Sequence, residues 1–154
     1  MKKKLFICLL CFVSIICVVG CDIVKKSLTK EEFSKIAEKH DLIIIDVLEQ
    51  FADYPELKSA TLAANSDGWQ IEFYTLDTNE NAKKMFEKNK AAFQSLKTNG
   101  SRDTMVEVGN YTKYTLDSDS YHMVAAKVGN TFLYVKVPLK YKKDADAVIK
   151  DMGY

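Results

Sequence analysis

The sequence predicts an α+β fold: one antiparallel sheet of about six strands with helices packed on one face. Three observations predict it. Apolar and polar residues alternate along Ala60–Ala64, Trp69–Thr75, Tyr121–Val128 and Phe132–Val137, which is the period of a half-buried strand. Apolar residues recur at three- and four-residue spacing along Phe33–His40, Ala82–Leu96 and Ala145–Met152, which is the period of a helix with one buried stripe. Val108-Gly109-Asn110 returns twenty residues later as Val128-Gly129-Asn130, and Gly-Asn pairs supply the positive backbone angles that tight hairpins need. Hairpins mixed with amphipathic helices imply helices stacked on a sheet. A sheet wrapped around the long helix, as in cystatin-like folds, is the alternative.

The chain opens on Lys2, Lys3 and Lys4, then an apolar run from Leu5 to Val19 broken only by Ser14, then Gly20 and Cys21. A basic start, a short apolar stretch and a small residue form a secretory signal. A retained anchor needs roughly 20 apolar residues, more than this run holds. Val18-Val19-Gly20 also makes a poor small-x-small cleavage site. Together with the cysteine, these residues resemble the lipobox of bacterial lipoproteins. The resemblance implies that Cys21 carries a diacylglyceryl group on sulfur and that signal peptidase II cleaves after Gly20. Residues 1–20 are then a signal peptide, 21–28 the lipidated cysteine and a short tether, and 29–154 a single globular domain. That domain is expected to be lipid-anchored to the cell membrane, facing the extracytoplasmic side. Asp22 follows the cysteine, which in bacteria with two membranes resembles the pattern of lipoproteins retained on the inner one.

Three of the four cysteines, Cys8, Cys11 and Cys17, fall within the signal, so with Cys21 acylated the domain is left without a thiol. Neither a disulfide nor a cysteine metal site is expected. Removing Lys2, Lys3 and Lys4 from the 22 basic residues leaves 19 against 21 acidic ones, a net charge of −2. That balance does not suggest nucleic acid as a partner. Lys25 and Lys26 lie in the tether, either drawn to anionic lipid or simply solvated.

Thr29 with Glu32 forms a capping box that starts the first helix. His40 closes its stripe, as a metal ligand or base beside Asp41, or as a half-buried imidazole at a helix C-terminus; with only one other histidine in the chain, the second reading is favoured. Leu42–Val47 is dense enough in aliphatics to be a buried strand. Leu48–Tyr54 is expected to be a short helical turn stopped by Pro55, and Ser66-Asp67-Gly68 a hairpin turn. Trp69 alternates with Ile71 and Phe73, which assigns it to the core. Asp77 or Thr78 caps the long second helix, whose far side is rich in lysine, and Asn99-Gly100 ends it. A four-stranded meander follows from Thr104. Asp117 and Asp119 resemble the opening of a calcium loop, but His122 and Val128 stand where glycine and glutamate are required. Thr61–Phe86 and Met123–Ile149 share an outline of two strands and a helix, a faint ββα repeat.

If helices cover one face, the other carries Tyr74, Tyr121, Phe132, Tyr134 and Lys136, with Tyr111 and Tyr114 extending it. Tyrosine offers a broad rigid surface with a polar tip, which suits recognition. These residues are the candidate binding face, for an envelope protein, peptide or glycan. No nucleophile elbow, phosphate loop or metal-binding helix occurs, and no cofactor is expected. The mature region is similar to the small uncharacterised bacterial lipoproteins. The function expected is therefore a non-catalytic binding domain held at the membrane, with a small hydrolase or a structural, self-protective surface protein as alternatives.

Overall fold

A computed structural model describes residues 24–154. The three cysteines of the signal, the lipobox and Cys21 lie outside the described residues. In chain order the elements are α1 (Lys30–Glu38), β1 (Ile43–Asp46), a 3-10 turn (Leu48–Phe51), β2 (Leu57–Ala64), β3 (Gln70–Leu76), α2 (Asn79–Gln94), β4 (Arg102–Val108), β5 (Tyr111–Asp117), β6 (Tyr121–Val128), β7 (Thr131–Pro138) and α3 (Lys142–Asp151). The strands form one antiparallel sheet of seven, in the order β1-β2-β3-β7-β6-β5-β4. The sheet has one strand more than expected.

Helices cover both faces, which corrects the expectation of helices on one. Phe73 and Tyr74 are consecutive in β3, so they point to opposite sides. Phe73 joins Val124, Val135 and the α1 and α3 residues Phe33, Ala145 and Ile149 in one core. Tyr74 joins Met123, Phe132 and the α2 residues Ala82, Phe86 and Phe93 in the other. The ring of Phe33 stacks on Phe73 at 4.8 Å. The ββα outline survives only as far as its hairpins, since α2 and α3 lie on opposite sides of the sheet.

Local signals account for the helix starts. Thr29 and Glu32 make both hydrogen bonds of the capping box, at 3.1 and 2.9 Å. The Thr78 hydroxyl accepts from the Asn81 backbone amide at 3.1 Å and starts α2. That helix ends at Gln94, several residues before Asn99-Gly100, leaving Leu96 exposed. Trp69 is buried as expected, beside Tyr141. Leu42–Val47 does not form a buried strand: β1 is an edge strand, with Ile43 65% exposed. Ile44 turns toward the α1 side, against Ala63. Aliphatic density marks a strand but not its place in the sheet. At the other edge, β4 is exposed along its whole length.

Lys25 and Ser27, ahead of α1, are hydrogen-bonded to the domain. The Lys25 backbone amide donates to the Asn110 side-chain oxygen, and the Asn110 amide donates back to the Lys25 carbonyl, each at 2.8 Å. Lys25 Nζ lies 3.7 Å from the Tyr111 ring centre and donates to the Gly153 carbonyl at 2.7 Å. Ser27 donates to the Val128 carbonyl at 2.9 Å. Gly129, at φ +54°, lets this strap pass, because a Cβ there would sit 2.6 Å from the Ser27 hydroxyl.

Phe86 is the central anchor of α2 and is 1% exposed. Phe86→Ala should lower stability by about 3–5 kcal/mol in urea unfolding, whereas Lys88→Ala, on the solvated side of the same helix, should change it by less than about 0.5 kcal/mol.

Candidate binding groove

Of the aromatic residues expected on an open face, all but Tyr111 share one face, but α2 crosses it. Tyr74 pairs with Phe132 and Glu72 with Tyr134 across β3 and β7, which sets the four side chains in a square. On one flank stands α2, presenting Met85 and Asn89. On the other stands the turn Leu48–Phe51, held by the Asp46 carboxylate accepting from the Leu48 amide at 2.9 Å. Pro55 follows and keeps Tyr54 out of the helical region. The Phe51 ring meets Tyr74 edge-on at 5.8 Å and Tyr54 at 6.2 Å.

Between these flanks runs a groove of two adjoining chambers. The larger, about 330 Å³, lies among Phe51, Tyr54, Leu57, Leu76 and Met85. The smaller, about 220 Å³, lies over Glu72, Tyr74, Phe132 and Tyr134, again with Met85 and Asn89 at its side. Phe93 of α2 packs at 5.2 Å from Tyr134 and closes the floor beyond it. Lys84 and Lys88 stand on the α2 rim.

The candidate residues therefore divide. Tyr74, Phe132 and Tyr134 form the groove floor, with Tyr74 and Phe132 almost wholly covered. Tyr121 and Lys136 lie past the end of α2, where Lys136 Nζ sits 5.0 Å over the Tyr121 ring, beside a separate depression near Leu96 and Asp119. Tyr114 is buried under the same layer, its hydroxyl donating to Asp103 at 3.1 Å. Tyr111 belongs to the opposite face, because it lies three positions from Tyr114 and the side-chain period is two. Glu72, Met85 and Phe51 were not foreseen as site residues. Glu72 was within reach of the same argument, since it alternates with Tyr74 on one side of β3.

Glu72 is the one carboxylate of the smaller chamber. Its two oxygens accept from Tyr74 at 2.5 Å and from the Gln70 amide at 3.0 Å. Burial, and then the hydrogen bond to Glu72, push the Tyr74 hydroxyl well above the ordinary phenol range. Burial, and then the Glu72 charge, also raise the Tyr134 hydroxyl above its ordinary value. Both rings stay neutral at any physiological pH.

Each of the two histidines meets an aspartate. His40 follows α1, partly buried, with Nε2 2.9 Å from Asp151, and lines a cavity of about 390 Å³ with Asp41 and Trp69. The His122 side chain is 1% exposed, so no substrate reaches it. Its Nδ1 lies 2.6 Å from Asp117, while Nε2 lies 3.1 Å from Asp146 of α3 without hydrogen-bond alignment. Lys142 also reaches Asp117. The group ties the β5–β6 hairpin to α3. Asp119 turns away to accept from the Thr98 hydroxyl at 3.1 Å, so the two aspartates do not converge on one point. Among the described residues, no helix is long and apolar enough to cross a membrane.

Burial raises the Asp117 carboxyl, but the hydrogen bonds from His122 and Lys142 outweigh it and hold the group below its usual value. A carboxyl depressed in the folded state adds stability that is complete above its unfolded pKa of about 3.9 and is lost as pH falls through the lower folded value. Asp117→Asn should therefore flatten the acid side of the stability profile below about pH 4 and lower stability near neutrality by about 1–3 kcal/mol, read by thermal unfolding across pH. No family model, no curated protein and no solved structure matches the chain.

Proposed function

We propose that the chain is an extracytoplasmic lipoprotein, acylated on Cys21 and cleaved after Gly20, whose domain is a non-catalytic binding module at the membrane surface. The observation that carries the binding reading is the groove between α2 and the turn Leu48–Phe51. It is concave, floored by aromatic rings and edged by a few polar groups, which is the general character of a ligand site. Its walls come from α2, β3, β7 and the turn, so the shape is held by packed elements rather than by one loop. The sealed position of His122 favours this reading over a small hydrolase, since a general base must reach its substrate. The partner would be an envelope protein, a peptide or a glycan, or a small molecule from the extracytoplasmic space. The membrane reading rests on the resemblance of Val18-Val19-Gly20-Cys21 to a lipobox.

Two experiments test these parts separately. Cys21→Ser should move the protein from the membrane to the soluble fraction or leave it as unprocessed precursor, read by fractionation and intact-mass spectrometry. A full-length precursor with a free thiol in the wild type would overturn the anchor. A photo-crosslinking residue at position 54, on the exposed groove rim, should capture a discrete partner in intact cells. Met85→Lys, which puts a charge between the two chambers, should abolish that adduct while a crosslinker at position 139 on another surface behaves the same in both backgrounds.

A further inference from the structure

Resting on the groove reading, we infer that the larger chamber takes the hydrocarbon chain of a free fatty acid, whose carboxylate is held at the rim by Lys84 and Lys88. The walls set the first half of that chemistry. Tyr54 is 50% exposed, and Phe51 and Met85 are partly exposed, so the surface open to a ligand comes from side chains that are apolar over most of their area. Behind them lie Leu57 and Leu76, whose backbone is already engaged. The Leu57 amide donates to the Tyr54 carbonyl at 3.0 Å, the Leu76 amide donates to the Asn130 carbonyl at 2.9 Å, and the Leu76 carbonyl accepts from the Asn130 side chain at 2.8 Å. The neutral amides of the wall are engaged as well, Asn81 donating to Asp77 and Asn89 to the Met85 carbonyl, both at 2.8 Å. A peptide or glycan seated there would bury polar groups with few partners, a cost that an alkyl chain does not incur.

The charge at the mouth sets the other half. Lys84 and Lys88 stand one turn apart on α2, and neither makes an ion pair among the described residues. Glu56 is the one carboxylate lining this chamber. Two ammonium groups against one carboxylate leave a single positive charge, which one carboxylate headgroup neutralises. Glu72 lies in the adjoining chamber and repels the same head, so the ligand is oriented with its charge outward at the lysines and its chain inward past Met85. A volume of about 330 Å³ is at the small end of ligand sites. It suits one chain rather than the two of a bilayer lipid.

The test uses the full-length lipidated protein in nanodiscs of phosphatidylcholine, which carry no net charge, with octanoate as probe, octanol as its uncharged counterpart and empty nanodiscs as the blank. By calorimetry octanoate should bind saturably, and hexanoate, two methylenes shorter, at least about fourfold more weakly. The double variant Lys84→Gln with Lys88→Gln should weaken octanoate at least about threefold and leave octanol unchanged. Tyr54→Ser, which removes the exposed ring, should weaken both at least about threefold. Lys150→Gln, on α3 across the sheet, should alter neither. Unchanged thermal unfolding of each variant makes these losses of binding. No saturable octanoate binding, indifference of octanoate to the lysine pair, or an equal loss of octanol in the lysine variant would each overturn the inference. If octanoate fails while the position-54 adduct persists and remains sensitive to Met85→Lys, the groove stands and the fatty-acid assignment alone falls.

Discussion

Strand β6 buries nearly every side chain from His122 to Val128, on both of its faces. A strand in that position cannot face water on either side, so the sheet must carry a layer on each. The rest of the architecture follows. Helices α1 and α3 cover one side around Phe73, Val124 and Val135, and α2 covers the other around Phe132, Met123 and Tyr114. A single helix is narrower than seven strands. The sheet beyond α2 is left to the turn Leu48–Phe51, and the gap between helix and turn becomes the groove.

That origin explains the chemistry of the groove. Its floor is ordinary sheet surface, filled with large side chains that would be core under a wider layer. Tyr74 and Phe132 are covered almost completely, whereas Glu72 and Tyr134 lie where the cover thins. The depth is modest, and affinity would have to come from complementarity of charge and shape more than from buried area.

Much of this was legible in the residues themselves. The capping box of Thr29 and Glu32, the core place of Trp69, the Gly-Asn hairpins and the final amphipathic helix follow from local rules, and local rules operate wherever the chain goes. Alternation also grouped Tyr74, Phe132 and Tyr134 correctly on one side of the sheet. What alternation cannot say is whether a face meets water or another layer. Phe132 looks the same under α2 as it would on an open sheet, and β6 carries apolar residues at both parities, which was the missed sign of a second layer. The aliphatic run of β1 failed for a related reason: Ile43 and Ile45 are sheet residues beyond the reach of α2. Glu72 went unremarked because a single carboxylate among 21 acidic residues stands out only once its neighbours are known.

The clasp between Lys25 and Asn110 sets the geometry of any anchorage at Cys21. Four residue steps, roughly 14 Å at full stretch, would then join the acyl chains to a point already fastened on the β4–β5 hairpin. A mooring that brief allows little swivel. The end of the sheet bearing Asn110 and Asn130 would rest toward the bilayer, and the turns at Gly68 and Ser118 would look outward. Since Leu76 is bonded to Asn130 and lines the larger chamber, that chamber would open at the membrane end in such an arrangement, within reach of molecules that travel along the membrane plane.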